Sequence, residues 1–325
     1  MPYEENAVKT LVLAIICTLA LAVLSIFVGV SDVSISTLFY ASDDAQLVLL
    51  ASRIPRTVAL ILAGSSMAIA GLLMQMLVRN RFVEPSTAGT VESASLGLLV
   101  VTCFAPGASV FTKMLVAAAF ALAGTTLFIK ILQRIPLRDV LLVPLIGIML
   151  GGIISAVTAF FAYRLDLMQS LLAWTTGDFS GVLRGRYELL WFAFIFAIAA
   201  YFAADRFTVA GLGRDFTTNL GLNYRRVMAF GLTIVSLVSA TVVVTVGMIP
   251  FLGLIIPNVV SLMVGDNMRR AVPWVATLGA ALVLFCDILG RTIRAPYEIP
   301  IGAVMGVIGS ILFLILILRK QQHAG

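Results

Sequence analysis

Long apolar runs separated by short polar turns dominate the chain. They fall at residues 11–30, 57–78, 85–105, 112–129, 140–163, 189–204, 227–249, 251–264, 271–286 and 299–318. A helix needs roughly 20 apolar residues to cross a bilayer. Ten such runs predict an all-α integral membrane protein with about ten transmembrane helices, forming one transmembrane domain over residues 1–325. The run at 251–264 is too short to cross as a straight helix. A further apolar piece, 165–174, is shorter still and is expected to lie at the outer surface or dip inward. The first run is longer than the core of a signal peptide, so it is read as a retained first span.

Composition agrees with the pattern. Of 325 residues, 61% are hydrophobic and 12% charged, with a mean hydropathy of +1.08. Soluble domains carry about 25% charged residues. The deficit excludes an ordinary soluble enzyme, a disordered chain and a nucleic-acid binder, and leaves no room for a separate catalytic domain. The net charge of +6 resides in the turns. With the N-terminus inside, fourteen Lys and Arg fall on inner segments and eight on outer ones. That bias predicts cytoplasmic termini, with tails at 1–10 and 319–325. Arg53, Arg56 and Arg291 fall on the outer side, against the rule.

Several chemistries have no carrier. Cys17, Cys103 and Cys286 lie in unrelated apolar runs, and His323 is in the tail, so no metal ligand set is expected. No G-x-x-x-x-G-K-[ST] loop occurs among the four lysines, so ATP hydrolysis by that route would need another subunit. No nucleophile–base constellation is visible. Two acids fall well inside spans, Glu92 and Asp287, and such acids mark functional sites by default. Asp287 has Arg291 one turn later as a ready partner. Glu92, among Thr90, Ser93 and Ser95, either lines an aqueous cavity or hydrogen-bonds locally. A proton-coupled carrier, the reading from another class, would use these two acids.

Small residues at four-residue spacing (Gly64 and Ala68, Ser66 and Ala70, Gly147 and Gly151, Gly302, Gly306 and Ser310) predict close helix approach. Met67, Met74 and Met76 read as gap-fillers in the bundle. One inner loop, 205–226, is long, polar and punctuated by glycine. Within it Asp215 to Leu220 reads as a short helix that Gly221 stops. Leu212, Phe216 and Leu220 recur at near-helical spacing, which suits an element that receives a push from a cytoplasmic partner. Gly213 to Leu222 is the expected contact, with Phe216, Leu220 and Gly221 as its packing core.

Several motifs occur in a telling order. Arg53-Ile-Pro-Arg56 leads into AGSSMAIAGLLMQ and then Arg79-Asn80; VGMIPFLGLIIPN follows from Val246; Cys286-Asp-Ile-Leu-Gly-Arg291 precedes Glu298-Ile-Pro300-Ile-Gly302. Together they resemble the iron-siderophore and cobalamin ABC importer permeases over nearly the whole chain. Two departures stand out. The turn Asn80-Arg-Phe-Val-Glu-Pro85 replaces an Asn-Pro-Leu-Ala type, as in a subgroup handling catecholate-type ferric siderophores. Asn258 follows Pro257 where many members have histidine.

The resemblance implies a ten-helix permease of the cytoplasmic (inner) membrane of a bacterium, working by alternating access. Its implied partners are a second permease subunit, two ATP-binding cassette subunits that hydrolyse ATP, and an extracytoplasmic binding protein delivering a ferric siderophore. Cobalamin or haem is the alternative cargo. It further implies that Arg53, Arg56 and Arg291 face outward and receive carboxylates of the binding protein. The turns after spans 2 and 4 are implied to gate the inner side, with Asn80 and Leu137 as candidates.

Overall fold

A computed structural model describes residues 2–29, 48–135 and 142–322. Leu137 therefore lies outside the described residues. The helices are α1 (Pro2–Phe27), α2 (Ile54–Val78), α3 (Thr90–Phe104), α4 (Val110–Leu132), α5 (Leu142–Arg164), α6 (Met168–Thr175) and α7 (Leu190–Phe202). They continue as α8 (Ala204–Gly211), α9 (Arg214–Asn219), α10 (Tyr224–Val246), α11 (Leu252–Val264), α12 (Met268–Thr292) and α13 (Ile301–Gln322). No strand occurs among the described residues.

Six helices are long and apolar enough to span. Among the described residues α7 and α8, bent by 67° against each other, pass as a span only if taken together, and α3, α11 and the apolar part of α13 are shorter. Each of the ten runs thus contains a helix. Two boundaries differ from the sequence reading. α12 extends beyond residues 271–286 at both ends, because Asn267 caps its first turn and Asp287 and Arg291 neutralise each other within its last turns. The 85–105 run is not helical until Thr90, since 79–89 folds as a compact turn. The 205–226 loop likewise contains α8 as well as the expected short helix, α9.

α2 is the hub. Its side chains are apolar or small on every face, so it can be surrounded on all sides, and most of them are buried. α12, α11, α7, α10 and α1 pack around it, whereas α3, α4 and α5 form a flank on α10. The most extensive contact is with α12. A Cβ on Gly64 would lie 2.8 Å from the Gly279 carbonyl oxygen, and one on Gly279 would lie 2.6 Å from the Ala68 Cβ. In lipid, where apolar transfer gives no drive to helix association, such close approach supplies the packing energy. Gly306 departs from the expected pattern, with no neighbour within 4 Å of its place for a Cβ.

These contacts predict a contrast. Gly279→Ala must push two helix backbones apart and should destabilise the subunit by about 1–3 kcal/mol. Gly306→Ala should leave it unchanged. Thermal unfolding in detergent reads the difference, and equal melting temperatures for the two variants would contradict this packing.

Candidate functional site

Polar side chains gather at three depths along the bundle. The outer group forms where α1 ends. Helix termini leave their last carbonyls without partners, and two arginines fill those of α1. Arg53 Nη1 donates to the Ile26 and Val28 carbonyls at 3.1 and 2.7 Å. Arg291 Nη1 donates to Ser25 O and Val28 O at 2.9 and 2.6 Å, and its Nη2 to Ser25 Oγ at 2.6 Å. Asp287 lies between Arg56 and Arg291, at 2.8 Å from Arg56 Nη2 and 2.5 Å from Arg291 Nη2. The remaining amino group of Arg56 reaches Glu298, also at 2.8 Å.

Three guanidinium groups and two carboxylates therefore clasp α1, α2, α12 and the segment before α13. This corrects the expectation that all three arginines face outward. Arg53 and Arg291 are 8% and 6% exposed, because cations near a helix C-terminus are held by its carbonyl dipoles. Arg56 is the shallowest of the three, through its pair with the exposed Glu298. The expected Asp287–Arg291 pair is present.

The middle group forms around a break in the chain. After α10, residues 247–251 turn and α11 begins part-way through the bundle rather than at its rim. A methyl group at Gly71 would run into Gly253, and Gly71 lies seven residues, about 10 Å, before the end of α2. Phe251 meets Gly309, eight residues into α13. Backbone groups at such depth have no water to bond and must be satisfied by protein.

Side chains of other elements do this. Glu84, fully buried in the 79–89 turn, accepts the Phe251 N–H through Oε1 at 3.1 Å and is steadied by Ser86 Oγ at 2.6 Å. Pro257 has no N–H for the Gly253 carbonyl four residues earlier, and Gln75 Nε2 supplies a donor there at 3.2 Å. Asn258 Nδ2 donates at 2.7 Å both to Leu254 O and to Arg81 O of the turn. Sequence reasoning missed Glu84 and Gln75. The available signals were the shortness of the 251–264 run and the proline within it.

Glu92 lies on α3 against Gly151 of α5, where a Cβ on that glycine would come within 3.3 Å of its carboxyl carbon. Its Oε2 is buried, with no hydrogen-bond partner among the described residues. Asn80, one gate candidate, is buried, and its Oδ1 accepts the Phe82 N–H at 2.8 Å, which shapes the start of the turn.

The inner group is the 205–226 segment. Gly213, at φ 114°, makes the corner between α8 and α9, with the Arg79 guanidinium beside it. Thr217 anchors α9 inward, its Oγ1 donating to Gly213 O at 2.6 Å. Gly221, at φ 78°, ends the element, and Leu222 N bonds back to Thr217 O. Phe216 and Leu220, expected with Gly221 as a packing core, point the other way and are exposed at 60% and 59%, as is Leu212 at 57%. Thr217 occupies the buried side of so short a helix, which turns the apolar residues out. The Asp205 carboxylate pairs with the Arg269 guanidinium at 2.6 Å. A cavity of about 580 Å³ lies between the end of α8 and the end of α11, lined by Gln75, Arg79, Arg81, Leu212, Asp266 and Asn267 among others.

Comparison with known proteins fits this arrangement. The petrobactin import system permease YclN of Bacillus subtilis (strain 168) is 52% identical over 309 residues, covering 95% of this chain and 98% of its own length. The ferric-anguibactin transport system permease FatD of Vibrio anguillarum is 40% identical over 308 residues, with the same coverages of 95% and 98%. A solved inward-facing conformation of a metal-chelate type ABC transporter has the same fold. Its TM-score is 0.81 at 22% identity, over 96% of this chain and 99% of that one. Residues 13–319 match the FecCD transport family, and this multi-pass membrane protein belongs to that family.

Proposed function

We propose that the chain is the membrane permease subunit of an ABC importer that moves a catecholate-type ferric siderophore across the cytoplasmic membrane. The end-to-end identity of 52% with a petrobactin permease carries this reading. A polar iron chelate cannot cross lipid unaided, and this fold supplies a protein-lined path. Two permease copies, or this chain and a related one, would enclose that path, with two ATPase subunits below and a binding protein above. The chain itself makes and breaks no covalent bond. A proton-coupled carrier would use Glu92 or Asp287; Asp287 is engaged by two arginines, so Glu92 is the acid such a carrier would need, and protonophore treatment tests it. Uptake of an iron-55-loaded catecholate siderophore into a strain lacking the native permease is the test. Uptake that needs the partner ATPase and survives brief protonophore treatment is expected. Rescue of cobalamin or haem uptake alone would overturn the assignment.

The inner group supports the coupling role of Gly213, Phe216, Leu220, Gly221 and Leu222. Three large apolar side chains stand exposed beside charged neighbours, which is the composition of a docking patch rather than of a solvated turn. The glycine corners and the Thr217 anchor hold them on a fixed element, as transmission of displacement requires. The neighbouring turns, with Asn80 and Leu137, serve as the inner gate in this reading. Phe216→Glu with Leu220→Glu should lower uptake at least tenfold and reduce co-purification of the ATPase. Membrane abundance should hold, because both side chains are exposed. Normal uptake would remove α9 from the mechanism.

The outer group supports docking of the binding protein, with Arg56 foremost. Arginine suits bidentate exchange between carboxylates, and Glu298 is the partner that an incoming acid can replace. Arg53 and Arg291 then act as struts holding Arg56 and Asp287 in place. Glu298→Gln removes the competing charge and should tighten binding-protein affinity three- to tenfold at low salt, with the gain shrinking as salt rises. Affinity measured with the complex in nanodiscs decides. Unchanged affinity at every salt concentration would exclude Arg56 as the docking group.

A further inference from the structure

The 79–89 turn is tied to α11 at both ends and in the middle. Glu84 holds the Phe251 N–H at the helix start. The Arg81 carbonyl holds Asn258 midway. Arg81 Nη2 pairs with Asp266 just past the last helical residue, at 2.5 Å. We propose that Glu84 is a positioning residue that fastens the inner turn to α11, so that turn and half-helix move as one rigid body during transport.

The geometry explains why a buried acceptor is needed there. Phe251 precedes α11 in the left-handed region, at φ 63°, and no neighbouring side chain caps the helix. A bulky residue in that region is strained, so its surroundings must hold it. Its ring packs on Gly309 of α13 and its N–H is held by Glu84. The N-terminus of α11 carries a partial positive charge that favours an anion. The second carboxylate oxygen, Oε2, lies beside Gly253, 3.2 Å from the place of a Cβ there. A cap from the local sequence could not link two elements; one from residue 84 necessarily does. Arg81 alone could not serve, because its pair with Asp266 is exposed on both sides and such pairs contribute little. Phe82 of the same turn packs edge-on against Phe313 of α13, with ring centroids 6.1 Å apart. α13 is therefore the surface against which the joined body would slide.

The transport consequence rests on the gate reading above; the joining of turn and helix does not, and the test separates them. Spin labels at positions 81 and 262, both exposed, would be placed in a cysteine-free background of the assembled transporter. Their distance should stay the same with and without ATP, in the otherwise native protein and in Glu84→Gln, which keeps an acceptor oxygen. Glu84→Ala should broaden the distance distribution and cut siderophore uptake at least tenfold, with Glu84→Gln retaining most uptake. An 81–262 distance that changes with nucleotide while Glu84 is intact overturns the proposal, even if Glu84→Ala fails to accumulate. Equal loss of uptake in Glu84→Gln and Glu84→Ala overturns it as well. A constant distance combined with full uptake in Glu84→Ala would leave turn and helix joined without Glu84, and would refute the residue's role.

Discussion

A helix that starts inside a membrane exposes backbone donors where no water can reach them. α11 is such a helix, and each unsatisfied group at that depth costs several kcal/mol. The surrounding elements are arranged to meet this demand. α2 brings Gly71 against Gly253 and sends Gln75 to the carbonyl that Pro257 leaves open. The inner turn folds back into the bundle so that Glu84 reaches Phe251. A charge held in the membrane costs about 2.5–3.5 kcal/mol on insertion scales. Glu84 is tolerable because the Phe251 N–H and the Ser86 hydroxyl both donate to Oε1 of its carboxyl group.

The outer cluster meets a related demand by a different route. α1 touches the bundle lightly, and much of its surface is exposed. What fixes its end is the pair of guanidinium groups on its last carbonyls. Arg53 immediately precedes α2 and Arg291 lies in α12, two helices in extensive contact, so the clasp joins the periphery to the hub. Burying an isolated pair is seldom favourable by itself. Here the hydrogen bonds to backbone offset the desolvation, and the alternating Arg–Asp–Arg–Glu order leaves no like charges as direct partners.

The sequence made the spans legible because the apolar runs are long and the charges between them few. It also made the Asp287–Arg291 pair legible, since the two lie one helical turn apart. Depth was harder to read. Glu84 follows Arg79, Asn80 and Arg81, a polar string that reads as a solvated turn, and nothing local shows that the turn folds back between helices. The outer arginines looked free for the same reason: their acceptors are carbonyls of α1, distant in sequence and invisible to composition. Phe216 and Leu220 were recognised as belonging together, but a six-residue helix has one buried side, and Thr217 occupies it. Family kinship gave the fold and the transport class from ordered motifs, whereas side-chain partners needed coordinates.

Hydrogen–deuterium exchange of the Phe251–Leu254 amides tests the central claim most directly, namely that side chains from the inner turn and α2 close the buried start of α11. In the intact transporter these amides should exchange as slowly as those in the middle of α2. With Glu84→Ala and Gln75→Leu combined they should exchange at least tenfold faster, with α2 unaffected. Slow exchange that persists in the double variant would contradict the account.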